Sequence, residues 1–221
     1  VTVLVLLDID GTLLTCFGEG RAAYYDTLGE LFPGREFGLL DMAGRTDFGI
    51  WCELTGLAEG ADWERFREAY ARNMDVRLER RPPGILPGVT ELLRALGADP
   101  RFRTGIVTGN LRAGSDVKIR RGGLGAWLEG VPGAYGDRVV DKDSLAQEIA
   151  SAHGGAGGVP VRVVVVGDTL ADVRCARGGG AGCLGVLTGG GDRMELSGAD
   201  DVVEDLSETD RILGILERIA R

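Results

Sequence analysis

Leu7-Asp8-Ile9-Asp10-Gly11-Thr12-Leu13 is the segment on which the fold turns, because it closes a run, Thr2 to Leu7, that is apolar without polar alternation. Such a run suits a parallel strand covered on both faces, and acids at its end fall where open α/β sheets bind ligands. Two carboxylates at the mouth of a buried strand are costly unless a cation and hydrogen bonds compensate. If the chain turns at Gly11, Asp8 and Asp10 can face the same side. Asp8 is then a candidate nucleophile toward phosphorus, and Asp10 a candidate acid/base whose pKa should be raised by neighbouring carboxylates. On their own, the same letters also describe a plain turn, since Asp and Gly favour turns in any protein.

Two more apolar runs end in the same way. Val163 to Val166 runs into Gly167-Asp168-Thr169, with Asp172 close behind. Together with Asp8 these acids would form an oxygen-rich site of the kind that selects Mg²⁺; the plain alternative is a solvated loop with Asp168 capping a helix. Gly105-Ile106-Val107 runs into Thr108-Gly109-Asn110. Thr108 and the N–H groups of Gly109 and Asn110 are candidates to hold phosphate oxygens at a helix N-terminus.

Strands are expected at Thr2 to Leu7, Thr104 to Val107, Val161 to Val166 and Leu184 to Leu187, with a further one near Ala134 to Tyr135 and a short edge strand at Val202 and Val203. Helical patterns alternate with them at Val89 to Leu96, Leu111 to Arg121, Ser144 to Ala152, Ala171 to Arg177 and Ser207 to Ile219, the last with Ser207 as its cap. That alternation predicts an α/β fold with a Rossmann-like parallel sheet and right-handed crossovers. Residues 16–85 break it, reading as successive helices at Glu19 to Phe32, Thr46 to Leu54 and Asp62 to Leu78. Trp63, Phe66 and Tyr70 recur there at helical spacing, which suits core packing. Gly18 and Gly20 at one end and Pro82-Pro83-Gly84 at the other punctuate this insert. The expected division is a core of 1–15 and 86–221 with a small helical cap domain at 16–85.

Composition narrows the function classes. A net charge of −9 argues against nucleic acid or anionic membrane as main partner, and no apolar stretch is long enough to span a bilayer. An anionic substrate would need local positive charge from a metal or a placed cation. The four cysteines lack CxxC spacing, so reduced thiols and a cytoplasmic location are expected. His153 is the only histidine, beside the glycine-rich run 154–158 that reads as a surface loop, so histidine-based chemistry is disfavoured. Lys118 and Lys142 are the only lysines.

The three acid- and hydroxyl-terminated strands, in this order, resemble motifs I, II and IV of the haloacid dehalogenase superfamily, and the insert stands where that family carries a C1-type cap. The resemblance covers essentially the whole chain. It implies that Asp8 is nucleophile and metal ligand, that Asp10 is acid/base and offers the metal its backbone carbonyl, and that Asp168 and Asp172 complete a Mg²⁺ site. It also implies that Thr108, Gly109 and Asn110 bind phosphate. The family needs a lysine that steadies the phosphate and the nucleophile. Lys118, ten residues beyond Thr108, is preferred here to Lys142, which follows the strand near Tyr135 but lacks the usual proline after it.

Among the branches, the second motif I aspartate speaks against dehalogenation, and the absence of lysine before Lys118 speaks against phosphonate cleavage. The expectation is a Mg²⁺-dependent phosphatase acting on a small phosphorylated metabolite, resembling phosphoglycolate phosphatase. The alternatives are a phosphomutase of the β-phosphoglucomutase type and a non-catalytic protein that binds or stores phospho-aspartate. In the insert, Arg45 of Gly44-Arg45-Thr46-Asp47 is a candidate to meet a substrate carboxylate or second anion.

Overall fold

The computed structural model describes residues 2–153 and 161–220. Six strands, β1 (Thr2–Leu7), β4 (Phe102–Thr108), β5 (Gly133–Tyr135), β6 (Val161–Gly167), β7 (Gly182–Val186) and β8 (Asp201–Val203), form one parallel sheet in the order β5-β4-β1-β6-β7-β8. The helices α4 (Val89–Ala98), α5 (Arg112–Arg121), α6 (Gly125–Leu128), α7 (Leu145–His153), α8 (Leu170–Gly178) and α9 (Thr209–Ile219) provide the crossovers and covering layers. β1 shows why its sequence is apolar throughout. Val3, Val5 and Leu7 enter one buried cluster, while Leu4 and Leu6 enter another on the opposite face.

Between the short strands β2 (Leu14–Thr15) and β3 (Gly84–Ile85) lie α1 (Glu19–Leu31), α2 (Asp47–Thr55) and α3 (Ala61–Arg80). β2 and β3 pair antiparallel, so the chain leaves and re-enters the sheet region side by side. Trp51, Trp63, Phe66 and Tyr24 are fully buried among these helices, with Trp63 stacked on Phe66 at 5.5 Å between ring centres. Core packing thus explains the aromatic spacing in α3.

The expected strands and helices appear with ends shifted by a few residues, as fraying termini allow. Ser207 does not cap α9, whose N-cap is Glu208 without a side-chain bond. β2, β3 and the single-turn α6 are too short to leave a periodic pattern in the sequence. The run 154–158, expected as a surface loop, lies outside the described residues. No described helix is long and apolar enough to cross a membrane.

Candidate active site

Parallel register brings the three motif strands to one edge. Leu7 pairs with Ile106 on one side and Val166 on the other, so Asp8 leaves the sheet beside the ends of β4 and β6, where Thr108 and Asp168 stand. Immediately beyond, the backbone folds tightly: the N–H groups of Leu13 and Leu14 both donate to the Ile9 carbonyl. Gly11 takes φ 78°, and a β-carbon there would overlap the Asp168 carboxylate. Gly11→Ala therefore meets both backbone strain and a collision with Asp168. It is expected to cost more than about 1 kcal/mol, read as a lowered midpoint in urea denaturation.

Asp8, Asp168 and Asp172 are all buried, and each offers an oxygen within 4.8 Å of the others. The Lys142 ammonium lies among them, donating to Asp8 Oδ1 at 2.8 Å and to Asp172 Oδ1 at 2.6 Å. Three carboxylates against one ammonium leave a formal surplus of two negative charges in a nearly dry site. Burial, with the Asp172 charge adding to it against the pull of Lys142, pushes Asp8 up to about 6. Burial and the Asp8 and Asp172 charges push Asp168 up to about 7. On Lys142 burial acts downward, but the two carboxylates outweigh it and hold the ammonium charged, above the usual lysine range.

Those oxygen donors and that charge surplus fit a divalent cation such as Mg²⁺. Asp168 is held in place on both oxygens, since Thr12 Oγ1 donates to its Oδ1 at 3.3 Å and the Gly190 N–H to its Oδ2 at 2.8 Å. Asp172 is differently engaged. Its Oδ2 accepts from the Thr169 N–H at 3.0 Å and from the Thr169 hydroxyl at 2.7 Å, while Oδ1 accepts from Lys142. Thr169, rather than Asp168, is the N-cap of α8.

The second lysine forms its own pair. The Lys118 ammonium bonds the Asp10 carboxylate and donates to Asn110 Oδ1 at 2.8 Å, while Asn110 Nδ2 donates to Asp10 Oδ2 at 2.7 Å and to Thr108 Oγ1 at 2.8 Å. Burial acts upward on Asp10, yet Lys118 and Asn110 together hold its carboxyl below the usual range. This reverses the expectation that neighbouring acids would raise Asp10. The cause is its partner: Asp10 faces a lysine, and the crowded acid is Asp8. Likewise Lys118, preferred on sequence for steadying the nucleophile, lies on Asp10, and Lys142 is the lysine that reaches Asp8. The loop after β5 delivers it without the proline whose absence counted against it.

Asp8, Asp10, Lys118, Lys142 and Asp168 line a cleft of about 350 Å³ between the sheet edge and the helical insert, together with Thr108, Gly109, Asn110, Arg45 and Gly189, while Asp172 lies buried behind it. Arg45 lines the cleft from the turn before α2, but its guanidinium is paired with Glu53 of that helix. At the start of α5 the N–H groups of Leu111 and Arg112 are taken, donating to Asp47 and Asp137. Sequence reasoning passed over the loop after β7. Thr188 Oγ1 donates to the Gly11 carbonyl at 2.6 Å, and Gly189 packs so closely on Asp168 that a side chain would collide with it. The signal was the Thr188-Gly189-Gly190-Gly191 run directly after an apolar strand.

With this geometry in view, comparison with known proteins gives a consistent picture. Residues 2–180 match the model of the haloacid dehalogenase-like hydrolases. No protein of curated function matches the sequence. Similar solved structures include a hydrolase from Pseudomonas syringae, at 24% identity and TM-score 0.69 over 100% of both chains. A β-phosphoglucomutase from Clostridium difficile aligns at 16% identity and TM-score 0.70, again over 100% of both chains. CbbY from Rhodobacter sphaeroides in complex with phosphate aligns at 20% identity and TM-score 0.62, over 93% of this chain and 95% of that one. At such identities the likeness is one of fold.

Proposed function

We propose that this chain, which belongs to the haloacid dehalogenase-like hydrolases, is a Mg²⁺-dependent phosphatase that transfers the phosphoryl group of a small metabolite to Asp8 and then to water. The observation that carries this reading is the buried charge surplus around Asp8, with one lysine on the nucleophile and a second on Asp10.

Asp8, Asp168 and the Asp10 carbonyl would hold the cation, with Asp172 reaching it directly or through water while keeping Lys142 in place. When bound, Mg²⁺ would offset the charge of Asp8 and of the incoming phosphate. Asp8 attacks phosphorus as the bond to the leaving oxygen breaks, giving an acyl phosphate on Asp8. Lys142, 2.8 Å from Asp8 Oδ1, steadies the nucleophile's charge, and Thr108, Gly109 and Asn110 border the phosphate. Asp10 and Lys118 act as the proton-handling pair. The proton the pair holds rests on the Lys118 ammonium; it passes by way of Asp10 to the leaving oxygen, and the pair takes one back from the water that attacks the acyl phosphate, releasing phosphate and restoring Asp8 and Lys118. The helical insert, residues 16–85, serves as the cap, and Arg45 would turn from Glu53 to meet a second anion on the substrate.

Two measurements test this reading. Phosphate release from a generic phosphomonoester is expected with Mg²⁺ and lost with EDTA; release undiminished by EDTA contradicts it. The raised carboxyl groups give a pH signature. Their folded values of about 6 and about 7 lie above the ordinary 3.8, so in metal-free protein their contribution to stability is fully present below about pH 4 and lost as pH rises through 6 and 7. Over the same window protons cease to compete with the cation. The rise in melting temperature on adding Mg²⁺ is therefore expected to be larger at pH 8 than at pH 5.

A further inference from the structure

Helix α5, which carries Lys118, starts without a cap of its own. Its N-cap is Leu111, which offers no side-chain acceptor, and its first turn holds no acid. Both acceptors come from elsewhere. Asp47 Oδ2, from the first turn of α2, accepts from the Leu111 N–H at 2.6 Å, and Asp137 Oδ2, from the loop after β5, accepts from the Arg112 N–H at 2.9 Å. Asp137 is itself tied to the insert, since Arg67 of α3 donates to its Oδ1 at 2.6 Å and the Trp63 indole to its carbonyl at 3.0 Å.

Main-chain bonds draw the same three segments together. The Asp47 N–H donates to the Gly109 carbonyl at 2.8 Å, the Phe48 N–H to the Gly136 carbonyl at 3.2 Å, and the Gly136 N–H to the Asn110 carbonyl at 2.9 Å. The Thr46 hydroxyl lies 2.6 Å from the Val139 carbonyl and 2.9 Å from that of Val140. Gly109 meets the Arg45 carbonyl so closely that any side chain there would collide. Both lysines hang from segments gathered here: Lys118 lies on α5, and Lys142 lies on the loop that begins at Gly136.

We propose that Asp47 and Thr46 are positioning residues that latch the helical insert onto the core, with Asp47 serving as a cap of the Lys118 helix in trans, so that the Leu111 N–H has its acceptor only while the insert is docked. Asp47 and Thr46 are both buried. Undocking strips the Leu111 N–H of its acceptor and the Asp47 carboxylate of its donor, so the two contacts are lost together. The latch does not rest on the phosphatase reading, and its test needs no substrate.

Cys16 provides the readout, because it is buried at 6% exposure and lines the cleft beneath the insert. At that exposure its thiol offers little surface to N-ethylmaleimide while the insert is docked, so undocking is expected to speed its alkylation. The experiment uses the full chain with Cys52→Ser, and Cys175 and Cys183, buried in the second core cluster, report general loosening. Asp47→Ala and Thr46→Val are expected to speed alkylation at Cys16, mapped by mass spectrometry, by about ten-fold while Cys175 and Cys183 stay protected. Asp47→Asn, whose amide oxygen still accepts from Leu111, should remain near the reference rate. The latch is overturned if Cys16 rates in Asp47→Ala and Thr46→Val stay within about two-fold of the reference. It is equally overturned if all three cysteines accelerate together, or if Asp47→Asn is as fast as Asp47→Ala. Should Asp47→Ala not fold, Thr46→Val decides alone.

Discussion

Asp8→Asn is expected to lower turnover of any phosphomonoester the protein accepts by roughly four orders of magnitude or more, the scale seen when a covalent nucleophile is removed. The fold should survive. Asp8 sits beside two other buried carboxylates, and burial together with Asp172 already pushes it up to about 6. A neutral amide of the same shape relieves that repulsion. In metal-free protein at pH 8, where the crowding is greatest, the variant should melt no lower than the parent. Loss of turnover with an undiminished melting temperature identifies chemistry rather than unfolding as the cause. Substantial residual turnover would remove Asp8 from the role assigned to it.

Lys142→Ala is expected to have the second largest effect, and it should strike stability as well as activity. Its ammonium is buried and donates to Asp8 and Asp172 together. Removing it takes the cation from a buried acidic cluster and the donor from Asp8 Oδ1 and Asp172 Oδ1, although Thr169 still serves Asp172 Oδ2; breaking a buried pair in this way typically costs about 3–5 kcal/mol. Lys118→Ala should cost less, because the Asp10 side chain it abandons is 41% exposed in the cleft and water can replace the lost donor. Urea denaturation of the two variants side by side, with and without Mg²⁺, checks the order. A Lys118→Ala loss as large as that of Lys142→Ala would show that the two pairs are not divided as the geometry implies.

The contrast between the lysines shows where the sequence stopped being legible. β1, β4 and β6 could be read because residues buried on both faces leave an unbroken apolar run, and the acids or hydroxyls at their ends mark the edge where ligands bind. The convergence of Asp8, Thr108 and Asp168 then followed from parallel pairing of neighbouring strands. Lys142 was harder, because β5 has only three residues and the loop that carries the lysine has no periodicity to reveal its course. Its flanking Asp141 and Asp143 look like a solvated run, yet the side chain between them turns into the core. Asp47 and Asp137 were invisible as caps for a related reason. Capping boxes are read from residues three apart, whereas these two carboxylates reach α5 from 64 and 25 residues away. The glycine run after Thr188 is visible in the letters, but nothing in them says that its approach is to the Asp168 carboxylate.

Asp10 carries a more general lesson. Two acids separated by one residue suggest mutual repulsion, and on that basis the second should hold its proton. The structure instead divides the pair, turning Asp10 toward Lys118 and leaving Asp8 among carboxylates. Environment, rather than proximity along the chain, decides which acid is raised.

The most direct measurement is to quench the protein during turnover of a phosphomonoester with Mg²⁺, reduce it with borohydride and map the peptides. An acyl phosphate on Asp8 would be reduced to homoserine at position 8 alone, and that is the expected result, absent without substrate and absent in Asp8→Asn. Reduction at another aspartate, or phosphate release with position 8 unchanged throughout, would contradict it.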